Sequence, residues 1–147
     1  MNLEPIMQSV AEALRVDHLT PDETGRYVVR FDNKFDLHVR PLERSSLLFE
    51  AGFGPAPSTD SGSGGYWERV LTRSLLHCRE GVREVVSLDP KTAELRLHRI
   101  EGADGLTPAG FLIVLEEFVN AVEGWFDFLT DSHTSHAPPL LMRPLMP

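Results

Sequence analysis

Apolar residues at Leu3, Ile6, Met7, Val10 and Leu14 recur with the i, i+3, i+4, i+7 spacing of a helix that buries one stripe, which predicts a helix from Leu3 to Arg15. After a polar, turn-rich stretch from Asp17 to Gly25 the period drops to two, with Tyr27, Val29 and Phe31 alternating with Val28, Arg30 and Asp32. Asp32, Asn33 and Lys34 supply a turn. Phe35, Leu37 and Val39 then alternate with Asp36, His38 and Arg40, so the two strands read as an antiparallel hairpin. Pro41 cannot donate to a ladder and is expected to end the second strand. A third strand follows, with Leu47, Phe49 and Ala51 on one face.

From Gly54 to Gly65 the pattern lapses into Gly, Pro and Ser with a single Asp, which predicts a flexible loop. Trp67, Val70, Leu71, Leu75 and Cys78 resume helical spacing for about three turns, with a stop near Gly81. Val86 and Leu88 run into the turn Asp89-Pro90-Lys91-Thr92, and Leu95 and Leu97 alternate beyond it, giving a second hairpin. Thr107 and Pro108 read as an N-cap and a first-turn proline. They open the longest periodic segment, in which Phe111, Leu115, Phe118, Val122, Trp125 and Leu129 share one face, widened by Leu112, Val119 and Phe126. This order predicts an α+β domain over residues 1–130, with three helices and a twisted antiparallel sheet of about five strands arranged α-β-β-β-α-β-β-α. Residues 131–147 carry prolines 138, 139, 144 and 147 and are expected to form a disordered tail.

Charge narrows the partners. Of 147 residues, 14 are Lys or Arg and 22 are Asp or Glu, a net charge of −8 that opposes nucleic acid and anionic membranes. The longest uncharged apolar run, Phe111 to Leu115, is far short of the roughly 20 residues that cross a bilayer. The opening MNLEPIMQSV has no basic stretch before an apolar run, so a retained N-terminus is expected rather than a signal peptide. A lone cysteine, Cys78, forms no internal disulfide, which suits a reducing cytoplasm.

A search for catalytic chemistry finds little. Gly62, Gly64 and Gly65 precede a helix, but no Lys-Ser or Lys-Thr follows to make a phosphate cradle. His77 and Cys78 are adjacent, about 100° apart on a helix, and the period puts Cys78 on the apolar stripe, where it reads as a buried, inert thiol. His133 and His136 lie in the proline-rich tail without a set of metal ligands. The pairs Glu116 with Glu117 and Asp32 with Asp36 read as solvated surface. No catalytic residue, metal or cofactor is expected. What remains is apolar surface in excess of what one small sheet can cover, as if some of it faced another chain.

Three stretches carry a likeness. Gly25 to Val39, GRYVVRFDNKFDLHV, ends a strand in an L-x-F-D-like pattern and an acidic turn; Ser87 to Ile100, SLDPKTAELRLHRI, sets a Leu-Asp-Pro turn before a leucine strand. Leu106 to Leu129 closes with Leu115, Phe118, Val119, Glu123 and Trp125 at an L-x-x-F-V-x-x-x-E-x-W spacing. Together they resemble the class I type III secretion chaperones, also described as Tir-chaperone-like, which are small acidic bacterial homodimers. The resemblance implies a non-enzymatic cytoplasmic protein that binds the N-terminal segment of a secreted effector in extended form, with the secretion ATPase as a further partner. It implies a dimer contact at Trp67, Val70, Leu71, Ser74, Leu75 and Cys78, with Val70 and Leu71 at the two-fold. It also implies effector contacts at Ile6, Val10, Val28, Leu48 and Phe53. Two other readings stay open: an adaptor or regulatory interaction domain of the same fold, and a small enzyme using His38, His77 or Cys78. The long 54–65 loop and the tail depart from the family pattern.

Overall fold

The computed structural model describes residues 3–58 and 62–131. Within them the chain forms helix α1 (Glu4–Leu14), strands β1 (Tyr27–Phe31), β2 (Phe35–Leu42) and β3 (Ser46–Pro55), helix α2 (Gly64–Arg79), strands β4 (Val85–Leu88) and β5 (Glu94–Gly102), and helix α3 (Pro108–Asp131). The strands make one sheet in the order β1-β2-β3-β5-β4, and every neighbouring pair is antiparallel. This is the predicted α+β architecture. The tail reading is corrected at Asp131, which ends α3; residues 132–147 lie outside the described ones.

Two adjacent cross-strand rows show how the period of two becomes a sheet with unlike faces. Val29, Leu37, Ala51, Leu97 and Val86 align across all five strands and face the helices. One residue along, Val28, His38, Glu50, His98 and Val85 align on the opposite face. The inward residues Leu37, Leu47, Phe49 and Leu97 are completely buried. Against them α3 sets Phe111 and Phe118, whose ring centroids lie 5.5 and 5.8 Å from that of Phe49. Helix α1 lies against α3 and adds Met7 and Val10, both fully buried.

Local chemistry explains the boundaries. Thr107 Oγ1 accepts a bond from the Gly110 amide at 3.1 Å, the predicted N-cap of α3. Asp89 Oδ1 accepts from the Lys91 amide at 2.8 Å and shapes the β4–β5 turn. Gly81, at φ 75°, ends α2 where expected, with the Val82 amide donating to the His77 carbonyl at 3.0 Å. Two expectations are corrected. Helix α2 spans 16 residues, longer than three turns, because it starts at Gly64. And β2 continues through Pro41, paired with Leu47, because β1 begins opposite Val39 and leaves one side of β2 open beyond it, where a missing N–H costs nothing.

Candidate functional site

Of the three helices, α2 is the one least absorbed by the core. Val70 is its one buried residue, and Trp67 is half-buried with its indole Nε1 donating to the Pro57 carbonyl at 3.3 Å. The same side holds Arg73, whose guanidinium stands 4.8 Å from the Trp125 ring centroid and 4.5 Å from that of Phe128. His77 meets the edge of Trp125 at 5.7 Å. So α2 rests on the end of α3 largely through a cation and an imidazole. Its other side carries Leu71 at 65% and Leu75 at 61% exposure, one turn apart, with Cys78 exposed on the next. Leu76, 49% exposed, overlooks a hollow of about 440 Å³ between α2 and Phe128.

The apolar positions assigned to dimer contact therefore split. Leu71, Leu75 and Cys78 form an outward row, Trp67 and Ser74 are half-buried, and Val70 is 2% exposed inside its own protomer. A valine already packed in the core is not available at a two-fold axis. The reading of Cys78 as a buried thiol is also corrected: the apolar stripe of α2 is wider than the core can cover, and Cys78 lies on the uncovered part.

The effector candidates divide in the same way. Val10 is fully buried beneath α1, and Leu48 is 7% exposed although strand parity puts it on the outer face. Val28 is exposed on the edge strand β1, and Ile6 and Phe53 are half-buried. Phe53 stands edge-on to Phe126 of α3 at 4.9 Å, at the rim of the aromatic core. Beside Leu48 the outer face offers Ile100, its cross-strand partner, and Val85, both about three-fifths exposed.

The polar half of that outer face was not foreseen. Ser87 Oγ and His98 Nε2 are 2.6 Å apart, and His98 Nδ1 lies 3.4 Å from Glu50 Oε1, a serine, imidazole and carboxylate in line. Arg40 Nε stands 3.5 Å from the same carboxylate. The His98 bond holds Glu50 below its usual carboxylate range, and burial pushes His38, opposite Glu50, below the usual imidazole value. The string lies on an open sheet face, and β5 is paired on both sides, so its amides are engaged in ladders and are not free to cradle an oxyanion.

Also missed was a buried cation. Arg99, 6% exposed, donates to Glu84 at 3.1 Å, to Glu101 at 2.9 Å and to Glu117 of α3 at 2.9 Å. Glu117 thus ties α3 to the sheet, although the helix pattern alone reads it as solvated. Asp36 likewise pairs with Arg30 through two bonds of 2.7 and 2.9 Å. Among the described residues no group of three His, Cys, Asp or Glu side chains is placed to hold a metal, and no helix is long and apolar enough to cross a membrane.

Comparison with known proteins gives the arrangement a family. No curated protein sequence matches significantly. Among solved structures, a chain of the ExsC-ExsE complex shares 22% identity over 86% of this chain and 92% of its own, with a TM-score of 0.70. A chain of the HopA1-SchA chaperone-effector complex shares 17% over 84% and 91%, with a TM-score of 0.66. A chain of the ExoT-SpcS complex from Pseudomonas aeruginosa shares 16% over 84% and 98%, with a TM-score of 0.59. At these identities the likeness is one of fold. The model of the Tir chaperone protein (CesT) family matches residues 6–126, from the first turn of α1 to the last third of α3. A match across that much of the chain, on this order of helices and strands, means that the protein belongs to the Tir chaperone protein (CesT) family.

Proposed function

We propose that the protein is a homodimeric, non-enzymatic chaperone of a type III secretion system that holds the N-terminal segment of an effector in extended form in the bacterial cytoplasm. The observation that carries this reading is the uneven use of apolar surface in a chain of this family: Leu71 and Leu75 on α2, and Val28, Val85 and Ile100 on the sheet, stay uncovered beside a well-filled core. Solved relatives of the same fold include a chaperone-effector complex and a type III secretion chaperone of Yersinia pestis bound to a fragment of YscM2. Holding a client unfolded needs strand edges and shallow apolar patches rather than a reacting group. Edge strand β1 supplies main-chain partners, and Val28, Ile6 and Phe53 supply side-chain contacts. Leu71 and Leu75 supply the dimer contact.

Native capture of the full-length protein from its host, followed by mass spectrometry and light scattering, tests the reading. The expected result is a particle of two chains holding a secreted protein, with capture weakened in Val28→Asp and Phe53→Ala. A monomer that retains no secreted protein would overturn it.

A further inference from the structure

The geometry points to a binding site for a small monocarboxylate with an apolar body, in the hollow between helix α2 and Phe128, its carboxylate held by Arg69 and Arg73. The site does not rest on the chaperone reading above. The hollow encloses about 440 Å³, walled by Arg69, Thr72, Arg73, Leu76 and His77 of α2 and by Phe128 of α3, a size common among small-molecule pockets. Arg69, Arg73 and His77 follow one another at steps of four, so successive turns of the helix present them to the same side. Both guanidinium groups approach one ring, with the Arg69 carbon 5.1 Å and the Arg73 carbon 4.5 Å from the Phe128 centroid.

These two cations lack an acceptor. Arg26, Arg96 and Arg99, the other arginines drawn away from solvent among the described residues, each meet a carboxylate at 2.9 Å. Arg69 and Arg73 are both half-buried, and among the described residues neither makes an ion pair. Arg73 Nε is buried without a hydrogen-bond partner, and burial pushes this guanidinium below its usual range. An aromatic face attracts the charge but leaves the N–H donors without the lone pairs that they match. A carboxylate supplies those lone pairs and the missing charge together. The rest of the lining decides which anion fits. Glu68 and Glu80 stand at the two ends of the hollow, about 18 Å apart along the helix, with both arginines between them. Two carboxylates against two guanidinium groups leave the lining without net charge while His77 is neutral, so a single negative charge fits between the arginines and a phosphate-like polyanion is repelled. Leu76 and the Phe128 ring give the remainder of the ligand an apolar wall. Since α2 rests on α3 through Arg73 and His77, a ligand seated between Arg73 and Phe128 braces the helix, and occupancy raises stability with concentration.

The test titrates phenylacetate into the isotope-labelled full-length chain and follows its amide NMR signals. The expected result is a saturable shift centred on Arg69, Thr72, Arg73, His77 and Phe128, with a dissociation constant near the millimolar range that suits about ten non-hydrogen atoms. Phenylethanol, a like body without the charge, should bind about tenfold more weakly, and Arg69→Gln should cost phenylacetate about the same factor, since a hydrogen bond to a charged group is worth roughly that much. Arg79→Gln, at an exposed arginine outside the hollow, should leave the affinity unchanged. Shifts that fail to saturate, or that spread over the exposed arginines, would overturn the proposal. Equal affinity for phenylethanol would overturn the role of the two arginines, and with it the proposal, as would inorganic phosphate binding as tightly as phenylacetate.

Discussion

Helices α3 and α2 are built on similar sequence patterns and put to different uses. Each follows a hydroxyl residue, and each carries an apolar stripe at three- and four-residue spacing. In α3 the stripe is spent inside, where Phe111, Leu115, Phe118, Val122 and Trp125 are all buried and Arg99 anchors Glu117 to the sheet. In α2 one residue, Val70, is buried, while the leucines a step round the helix point away from the molecule. The difference teaches that the amount of apolar surface on a helix does not tell which chain it is meant for. A helix committed to its own core is closed off by polar anchors. A helix that its own core takes up through one valine leaves its leucines bare.

The sharpest way to break this contrast uses two adjacent residues of α2. Val70→Asp replaces a buried valine with a carboxylate in the core and should cost the protomer about 5 kcal/mol, seen as loss of the cooperative transition in urea. Leu71→Asp, 100° round the helix, should change protomer stability by less than about 0.5 kcal/mol yet halve the mass measured by light scattering. If both variants stay dimeric and stable, the two faces of α2 have been wrongly told apart. In α3 no such division is expected. Phe118→Ala should cost about 3–5 kcal/mol with the oligomeric state intact at low denaturant, since the ring fills the space over Phe49.

The anchors of the two helices differ in kind, which gives the next test. Arg99→Met leaves Glu84, whose side chain is 7% exposed, without its cation, and removing one partner of a buried pair costs about 3 kcal/mol. Arg73→Met on α2 removes only a guanidinium stacked on Trp125 and Phe128, a loss of about 1 kcal/mol. Urea midpoints measured side by side should separate the two, and equal midpoints would mean that α2 is held as firmly as α3.

Much of this was legible in the chain itself, for reasons that also mark the limit. The three helices, both hairpins and the N-cap at Thr107 follow from local spacing, because period and capping are properties of a few consecutive residues. Which way an ambiguous stripe turns is not local. Val70 and Leu71 read alike in sequence, and only the position of α3 sends one inward and the other outward. The same holds for Val10 and Leu48, apolar positions offered to a partner that the protomer itself covers. Glu117 reads as solvated because its cation, Arg99, is 18 residues away. The row His38, Glu50 and His98 needs the register of three strands, which the individual strands do not contain.

The smallest expected effect lies at the helix starts. Thr107 Oγ1 accepts from the Gly110 amide, so Thr107→Ala should leave an orphan donor in the first turn of α3 and cost about 1 kcal/mol. Ser63, at the matching position of α2, makes no such bond; its hydroxyl donates to the Ser58 carbonyl in the preceding segment. Ser63→Ala should therefore shift stability by only a few tenths of a kcal/mol. Thermal unfolding of the two single variants and the double variant checks this, with additive shifts expected because the two helix starts share no bond. A Ser63→Ala cost equal to that of Thr107→Ala would show that the start of α2 is capped in solution, and that only its outward leucines set it apart from α3.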